Sequence, residues 1–128
     1  MATSKINQGF VPALLSTDYT DYLTLETDVT ISSFRLEQLD KNIWAVFIAG
    51  AISTPVSAHD RKNIATYDLT KLPPVAGYIG GYVFQEGLSS VYKPGVGFFL
   101  NTGVIRVINL SDSAISGFSF NGMVYRRI

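Results

Sequence analysis

Leu-Asn-Thr-Gly-Val-Ile-Arg-Val-Ile-Asn-Leu, residues 100–110, is a short polar turn followed by a run that is apolar at almost every position. Asn101, Thr102 and Gly103 suit a tight hairpin, because Asn and Gly both tolerate positive φ. The run after the turn is rich in β-branched residues and reads as a strand. Alternate side chains of a strand point to opposite faces, so Val104, Ile105, Val107 and Ile108 make both faces apolar. In an ordinary two-layer β domain one face of an antiparallel strand meets water. A strand apolar on both faces needs a cover on each.

The same double-sided pattern recurs at residues 42–52, Asn-Ile-Trp-Ala-Val-Phe-Ile-Ala-Gly-Ala-Ile. Ile43, Ala45, Phe47, Ala49 and Ala51 lie on one face, and Trp44, Val46, Ile48 and Ile52 on the other. If one face fills the space between two sheets, a neighbouring copy is the simplest cover for the other, in a closed cyclic arrangement that avoids open polymerisation. The residues expected at that interface are Trp44, Val46, Ile48, Val104, Arg106 and Ile108, with the aliphatic stem of Arg106 covering apolar surface. Cover by the N-terminal segment or a crossing loop of the same chain is the alternative.

Similar runs at 29–39, 64–69, 78–85, 95–100 and 118–127 are separated by Gly, Pro, Asn and Ser-Asp clusters, and helical periodicity is nearly absent. Seven strands at this spacing indicate an all-β, jelly-roll-like antiparallel β-sandwich spanning residues 29–128. Residues 1–28, with Gly9, Pro12 and Ser-Thr-Asp-Tyr-Thr-Asp-Tyr, read as a lead-in along the sheet or the assembly axis.

Composition narrows the partners. The chain has 128 residues, 47% hydrophobic and only 16% charged, which leaves little polar surface to cover a monomer. No apolar run reaches the roughly 18 residues of a membrane span. Ten acidic and ten basic residues are dispersed, so there is no basic stripe for nucleic acid. The absence of cysteine excludes disulfides and thiolate chemistry. The start Met-Ala-Thr-Ser-Lys has no apolar signal core, which predicts synthesis in the cytoplasm without a signal peptide.

The order of features resembles a known family. A strand ending in Gly50-Ala51-Ile52 precedes Tyr67-Asp68-Leu69-Thr70-Lys71-Leu72-Pro73. An aromatic strand, Asn101-Thr102-Gly103-Val104-Ile105-Arg106-Val107 and a final Phe118-Ser119-Phe120-Asn121-Gly122-Met123-Val124-Tyr125 follow. Over roughly residues 29–128 this is similar to the C-terminal head or tip domains of tail-fibre and baseplate receptor-binding proteins from phages of Gram-positive bacteria. The commonest family form has Leu-Pro followed by a glycine and a second proline a few residues on, and Pro73-Pro74-Val75-Ala76-Gly77 departs from that spacing. The resemblance implies a homotrimeric jelly-roll head in the virion that recognises host cell-wall saccharide and contacts other tail or baseplate proteins. A purely structural fibre or head-decoration protein is the alternative it allows.

Enzyme signatures are missing. His59 is the only histidine, and Asp60 beside it would point away on an extended chain. No nucleophile elbow, phosphate loop or His-Glu-x-x-His occurs. One histidine without cysteine does not make a zinc site, and Asp18 and Asp21 lack the ligand density of a calcium loop. No catalytic residue, metal or cofactor is expected. Saccharide sites combine an aromatic face for the C–H side of a sugar with planar polar groups for its hydroxyls. Tyr78, Tyr82 and Tyr92, near loops around the glycine-rich 77–81, and the polar loop holding His59, Asp60, Arg61 and Asn63 are the residues expected to supply them.

Overall fold

The computed structural model describes residues 16–85, 92–99 and 102–127. Nine strands carry most of them: β1 (Ser16–Asp18), β2 (Leu23–Leu25), β3 (Val29–Asp40), β4 (Ile43–Val56), β5 (Arg61–Tyr67), β6 (Val75–Phe84), β7 (Tyr92–Phe99), β8 (Val104–Asn109) and β9 (Ile115–Arg126). The helical content of the described residues is one 3-10 turn, Thr20–Tyr22. β3 to β9 fall on the seven runs expected from alternation. β1 and β2 come from the segment expected to be a lead-in, and residues 1–15 of that segment lie outside the described residues. Asn101 of the expected hairpin lies outside them too, while Gly103 takes the expected positive φ of 78°.

Every neighbouring pair is antiparallel, and the nine strands form one sheet in the order β1-β3-β4-β9-β6-β7-β8-β5-β2. The run β9-β6-β7-β8 is a Greek key, three consecutive strands with the fourth returning beside the first. The sheet must curl. Flat, its eight intervals of about 4.8 Å would separate the edges by about 38 Å. Yet the edge strands β1 and β2 are consecutive in the chain, and the five steps from Asp18 to Leu23 reach at most about 18 Å. The curl brings opposite halves face to face, with the rings of Phe34 in β3 and Phe99 in β7 stacked 5.7 Å apart. The result is a β-sandwich whose two layers belong to one continuous sheet.

Alternation selects the inner face of each strand. In β8, Ile105, Val107 and Asn109 are buried, while Val104, Arg106 and Ile108 on the outer face are half-buried. In β4 the large residues point inward: Trp44, Val46 and Ile48 are only 5%, 2% and 1% exposed. The expectation that these three form an outward interface is therefore corrected. Register puts Ile48 between Phe34 and Phe120, and Val46 beside Leu36, all of them core residues. The outer face of β4 is the one carrying Ala45, Phe47 and Ala49.

The wholly buried and stacked Phe118 and Phe120 of β9 need room that neighbouring strands provide by lacking side chains. A methyl group at Gly81 would overlap the Ser119 carbonyl and Phe120, and one at Gly97 would sit 3.2 Å from the Phe120 ring.

Short polar devices fix the turns. Asp18 accepts from the backbone N–H and hydroxyl of Thr20 at 2.9 and 2.6 Å, and Asp68 does the same for Thr70 at 2.9 and 2.7 Å. Lys62 in β5 reaches Asp28, just before β3, at 3.1 Å. The threonine hydroxyls and backbone donors hold the Asp18 and Asp68 carboxyls below their ordinary 3.8, and the Lys62 ammonium does so for Asp28. With folded pKa values below the unfolded ones, the unfolded chain binds more protons in acid, so stability falls as pH drops. The urea midpoint is expected to hold between pH 7 and about pH 5 and to fall below about pH 4. A midpoint that rises on acidification from pH 5 to pH 3 would contradict this.

Candidate functional site

The β4–β5 and β8–β9 turns lie at one end of the sandwich, the end at which β6 finishes and β7 begins. Register places them there, because Phe84 and Tyr92 pair at the end of β6 and β7, Phe84 also pairs with Gly117, and Val56 pairs with Ile115. Buried Asn109 at the end of β8 ties the two turns together. The two hydrogens of its side-chain amide are shared among the carbonyls of Val56, Ser57 and Ser113, at 3.1, 3.1 and 2.8 Å, and its oxygen accepts from the N–H and hydroxyl of Ser111. Its backbone N–H donates to Asp60. With all of these bonds made, a wholly buried amide fixes loop positions at no desolvation cost left unmet.

His59 sits on the β4–β5 turn with φ of 60°, the left-handed conformation, and its Nε2 donates to Asp112 Oδ1 of the β8–β9 turn at 2.8 Å. Both side chains are largely exposed, so this bond adds little stability, but it links the two turns at their tips. The expected polar loop is shorter than the sequence suggests. It ends at Asp60, and Arg61 and Asn63 belong to β5, pointing to the outer face opposite Ile108 and Arg106. Two hollows share Pro55 here: about 240 Å³ lined by Ser57, Asp60, Arg61 and Lys62 among others, and about 220 Å³ lined by Gln85, Ala114 and Ser116.

Tyr78 and Tyr82 lie in β6, within the expected run 78–85, while Tyr92, expected ahead of the run 95–100, opens β7. Tyr78, Tyr82 and Tyr92 stand on the outer face, 70%, 59% and 60% exposed. Tyr82 and Tyr92 lie toward the turn end, with rings 6.1 Å apart and Phe84 5.9 Å from Tyr92. Tyr78 lies farther along, its ring 4.5 Å from that of Phe98 in an edge-to-face pair. Phe98 pairs in register with Arg106, whose Nε donates to Asn63 Oδ1 at 2.8 Å. The expected site thus divides. Tyr82 and Tyr92 share the turn end with His59, Asp60 and Arg61, and Tyr78 shares a separate row with Asn63.

On the other side of β9 and β6, the outer face has a hollow of about 410 Å³ lined by Arg35, Glu37, Ala45, Phe47, Asn121 and Met123. Register carries one row of residues across from it, running from Phe47 through Asn121 and Gly80 to Val96, Ile108 and Arg61. Sequence reasoning missed Asp112, Asn109 and this hollow. Asn109 was detectable, since alternation puts it on the same face as Ile105 and Val107. Asp112 was not, because nothing local couples it to His59. Among the described residues no group of three His, Cys, Asp or Glu could hold a metal ion, and no helix is long and apolar enough to cross a membrane.

No protein-family model matches the chain, and no curated protein sequence matches it. Among solved structures, the crystal structure of the head domain of lactococcal phage bIL170, described with the receptor-binding domains of lactococcal phages, aligns with a TM-score of 0.61 at 14% identity. The alignment covers 88% of this chain and 97% of that one, so the fold of this chain is similar to that of a phage receptor-binding head domain over nearly its whole length.

Proposed function

We propose that the chain is a receptor-binding head of a phage virion, a jelly-roll-like homotrimer at a tail-fibre or baseplate tip that recognises saccharide on the host cell surface. The observation that carries the reading is the likeness to the bIL170 head domain across almost all of both chains. The exposed Tyr82 and Tyr92, beside a turn end bearing His59, Asp60 and Arg61, support a saccharide as the ligand. Aromatic faces cover the C–H side of a sugar, while carboxylate, imidazole and guanidinium groups exchange hydrogen bonds with its hydroxyls. Each such bond replaces one to water, so the net gain per bond is small and affinity for a short glycan is weak. The half-covered outer faces of β4 and β9 supply apolar surface for a second copy. As a non-enzymatic module, it needs no cofactor, and its other partners are neighbouring tail or baseplate proteins.

Calorimetric titration with a panel of purified cell-wall polysaccharides from Gram-positive bacteria tests the reading. Saturable binding to at least one polysaccharide is expected, weakened by Tyr92→Ala about tenfold, the equivalent of about 1.4 kcal/mol. Flat titrations at millimolar sugar would reduce the role to that of a structural fibre or head-decoration protein.

A further inference from the structure

Gly80 has no reason to be glycine within one chain. It lies in the middle of β6, its φ is not positive, and a methyl group placed on it would meet no atom within 4 Å. Its neighbour Gly81 is the contrast, since a side chain there would strike β9. A strand glycine costs stability and commonly marks a place where another backbone or a ligand comes close. On the outer face Gly80 is the floor between two exposed tyrosines of its own strand, Tyr78 and Tyr82, each two residues away. β7 braces both, with Phe98 4.5 Å from the Tyr78 ring and Tyr92 6.1 Å from that of Tyr82. Four residues of strand separate the tyrosines by about 13 Å between Cα atoms, wide enough for one chain of sugar rings in contact on both sides. The floor continues on the neighbouring strands. Gly80 pairs with Val96 of β7 and Asn121 of β9, and Asn121 also lines the 410 Å³ hollow together with Phe47, Met123, Arg35 and Glu37. Tyr78 is level with Met123, each being two residues from the Gly80–Asn121 pair. Tyrosine, glycine floor and hollow therefore form one trough across the strands, and Tyr82 joins it to the turn end.

We infer that this trough is an extended saccharide subsite: a chain of neutral sugar units crosses β6 over Gly80, between Tyr78 and Tyr82, and sets a ring in the hollow against Phe47 and Met123. The head then grips the interior of a polysaccharide and not its end alone. The inference rests on the saccharide reading and carries it beyond the turn end. The lining sets the class of occupant. The Asn121 amide and the Glu37 carboxylate have no hydrogen bond or ion pair among the described residues, while Arg35 lies 3.9 Å from Asp18. An apolar protein partner would bury an amide and a charge unmet, whereas sugar hydroxyls donate to the carboxylate and pair with both ends of the amide. Phe47, Tyr78 and Tyr82 supply aromatic surface for the C–H side of the rings. An anionic unit in the hollow would be repelled by Glu37, so the unit there is neutral. Gly80 is glycine because any side chain would stand in the path of the chain. Ile43 and Tyr125, which pair in register beyond the hollow, leave apolar surface on β4 and β9 for a second copy.

Calorimetric titration of wild type, Gly80→Val and Asn121→Leu tests this, with neutral and anionic cell-wall polysaccharides of Gram-positive bacteria and with two-sugar and six-sugar fragments cut from them. Wild type is expected to bind a neutral six-sugar fragment about tenfold more tightly than the two-sugar fragment, and each variant to lose about that tenfold. The far-ultraviolet circular dichroism spectrum of Gly80→Val should be unchanged, because the added side chain meets open space. Fragments of both lengths bound equally, six-sugar binding that survives either substitution, or binding confined to anionic polymers would overturn the trough while leaving the turn-end site intact. A wild type that binds none of the polysaccharides would overturn the saccharide reading itself, and the trough with it. Light scattering tests the competing occupant: a drop in mass on Gly80→Val would assign the face to another copy of the chain and overturn the inference.

Discussion

Asn109→Leu is expected to lower the stability of the folded chain by about 3 kcal/mol, although the replacement is apolar and similar in size. Asn109 is wholly buried at the end of β8, where it makes five side-chain hydrogen bonds to Val56, Ser57, Ser111 and Ser113. Leucine fills the volume, so no water enters to replace the amide. The Ser57 carbonyl keeps the Asp60 N–H and the Ser111 hydroxyl keeps the Ser113 carbonyl, so the Val56 carbonyl and the Ser111 N–H are the groups that lose this partner. Leaving one such group unmet costs about 1–3 kcal/mol, and partial rehydration of the exposed turns keeps the total below a simple sum. A shift in the urea midpoint equivalent to less than 1 kcal/mol would show that the turns stand without this staple. Hydrogen exchange should quicken at 57–60 and 110–114 before it does in the strands, since both turns are tied through this one side chain.

Phe120→Ala is expected to cost more, about 3–5 kcal/mol, by removing a buried ring from the centre of the curl and leaving a cavity. The ring packs against Phe118 in its own strand and fills the space left by Gly81 and Gly97. Because a methyl group at Gly97 would sit 3.2 Å from that ring, Gly97→Ala crowds the wild-type core but refills part of the hole made by Phe120→Ala. The double variant should therefore be more stable than the sum of the single effects predicts, by about 0.5–1 kcal/mol. Additive effects would mean that β7 does not close on β9 here. Against a typical total of about 5–15 kcal/mol, either loss in the core or at the staple is large enough to depress the yield of folded protein.

The strands were legible because the sequence states them locally. Alternating β-branched and aromatic runs bounded by turn residues are a property of ten or so neighbouring residues, and β3 to β9 follow them. Which face of β4 points inward was not legible, since Trp44, Val46 and Ile48 and the opposite set of Ile43, Ala45 and Phe47 are both apolar. Size was the available clue: the alanines at 45, 49 and 51 are the weaker core and lie on the outer face. The two short edge strands were missed because three residues each carry no periodicity, and each is fixed by pairing with a distant strand, β1 with β3 and β2 with β5. The tyrosines were legible as candidates by type, and the expected run 78–85 already held Gly80 and Gly81 within a strand, but the start of β7 at Tyr92 was not legible. The partition of the site also depends on register. Whether Tyr78 stands with Tyr92 or with Asn63 follows from the pairing of β6, β7, β8 and β5, which no single stretch encodes.

In the proposed role, the turn end of the sandwich recognises host saccharide through Tyr82, Tyr92 and the His59–Arg61 segment. Chemical-shift mapping of the isotopically labelled chain, titrated with a cell-wall polysaccharide that binds it, tests this most directly. Saturable shifts are expected at Tyr82, Tyr92 and residues 59–61, with Asp112 following through its bond to His59. Shifts confined to the opposite end, around the β3–β4 turn and Arg126, would contradict it.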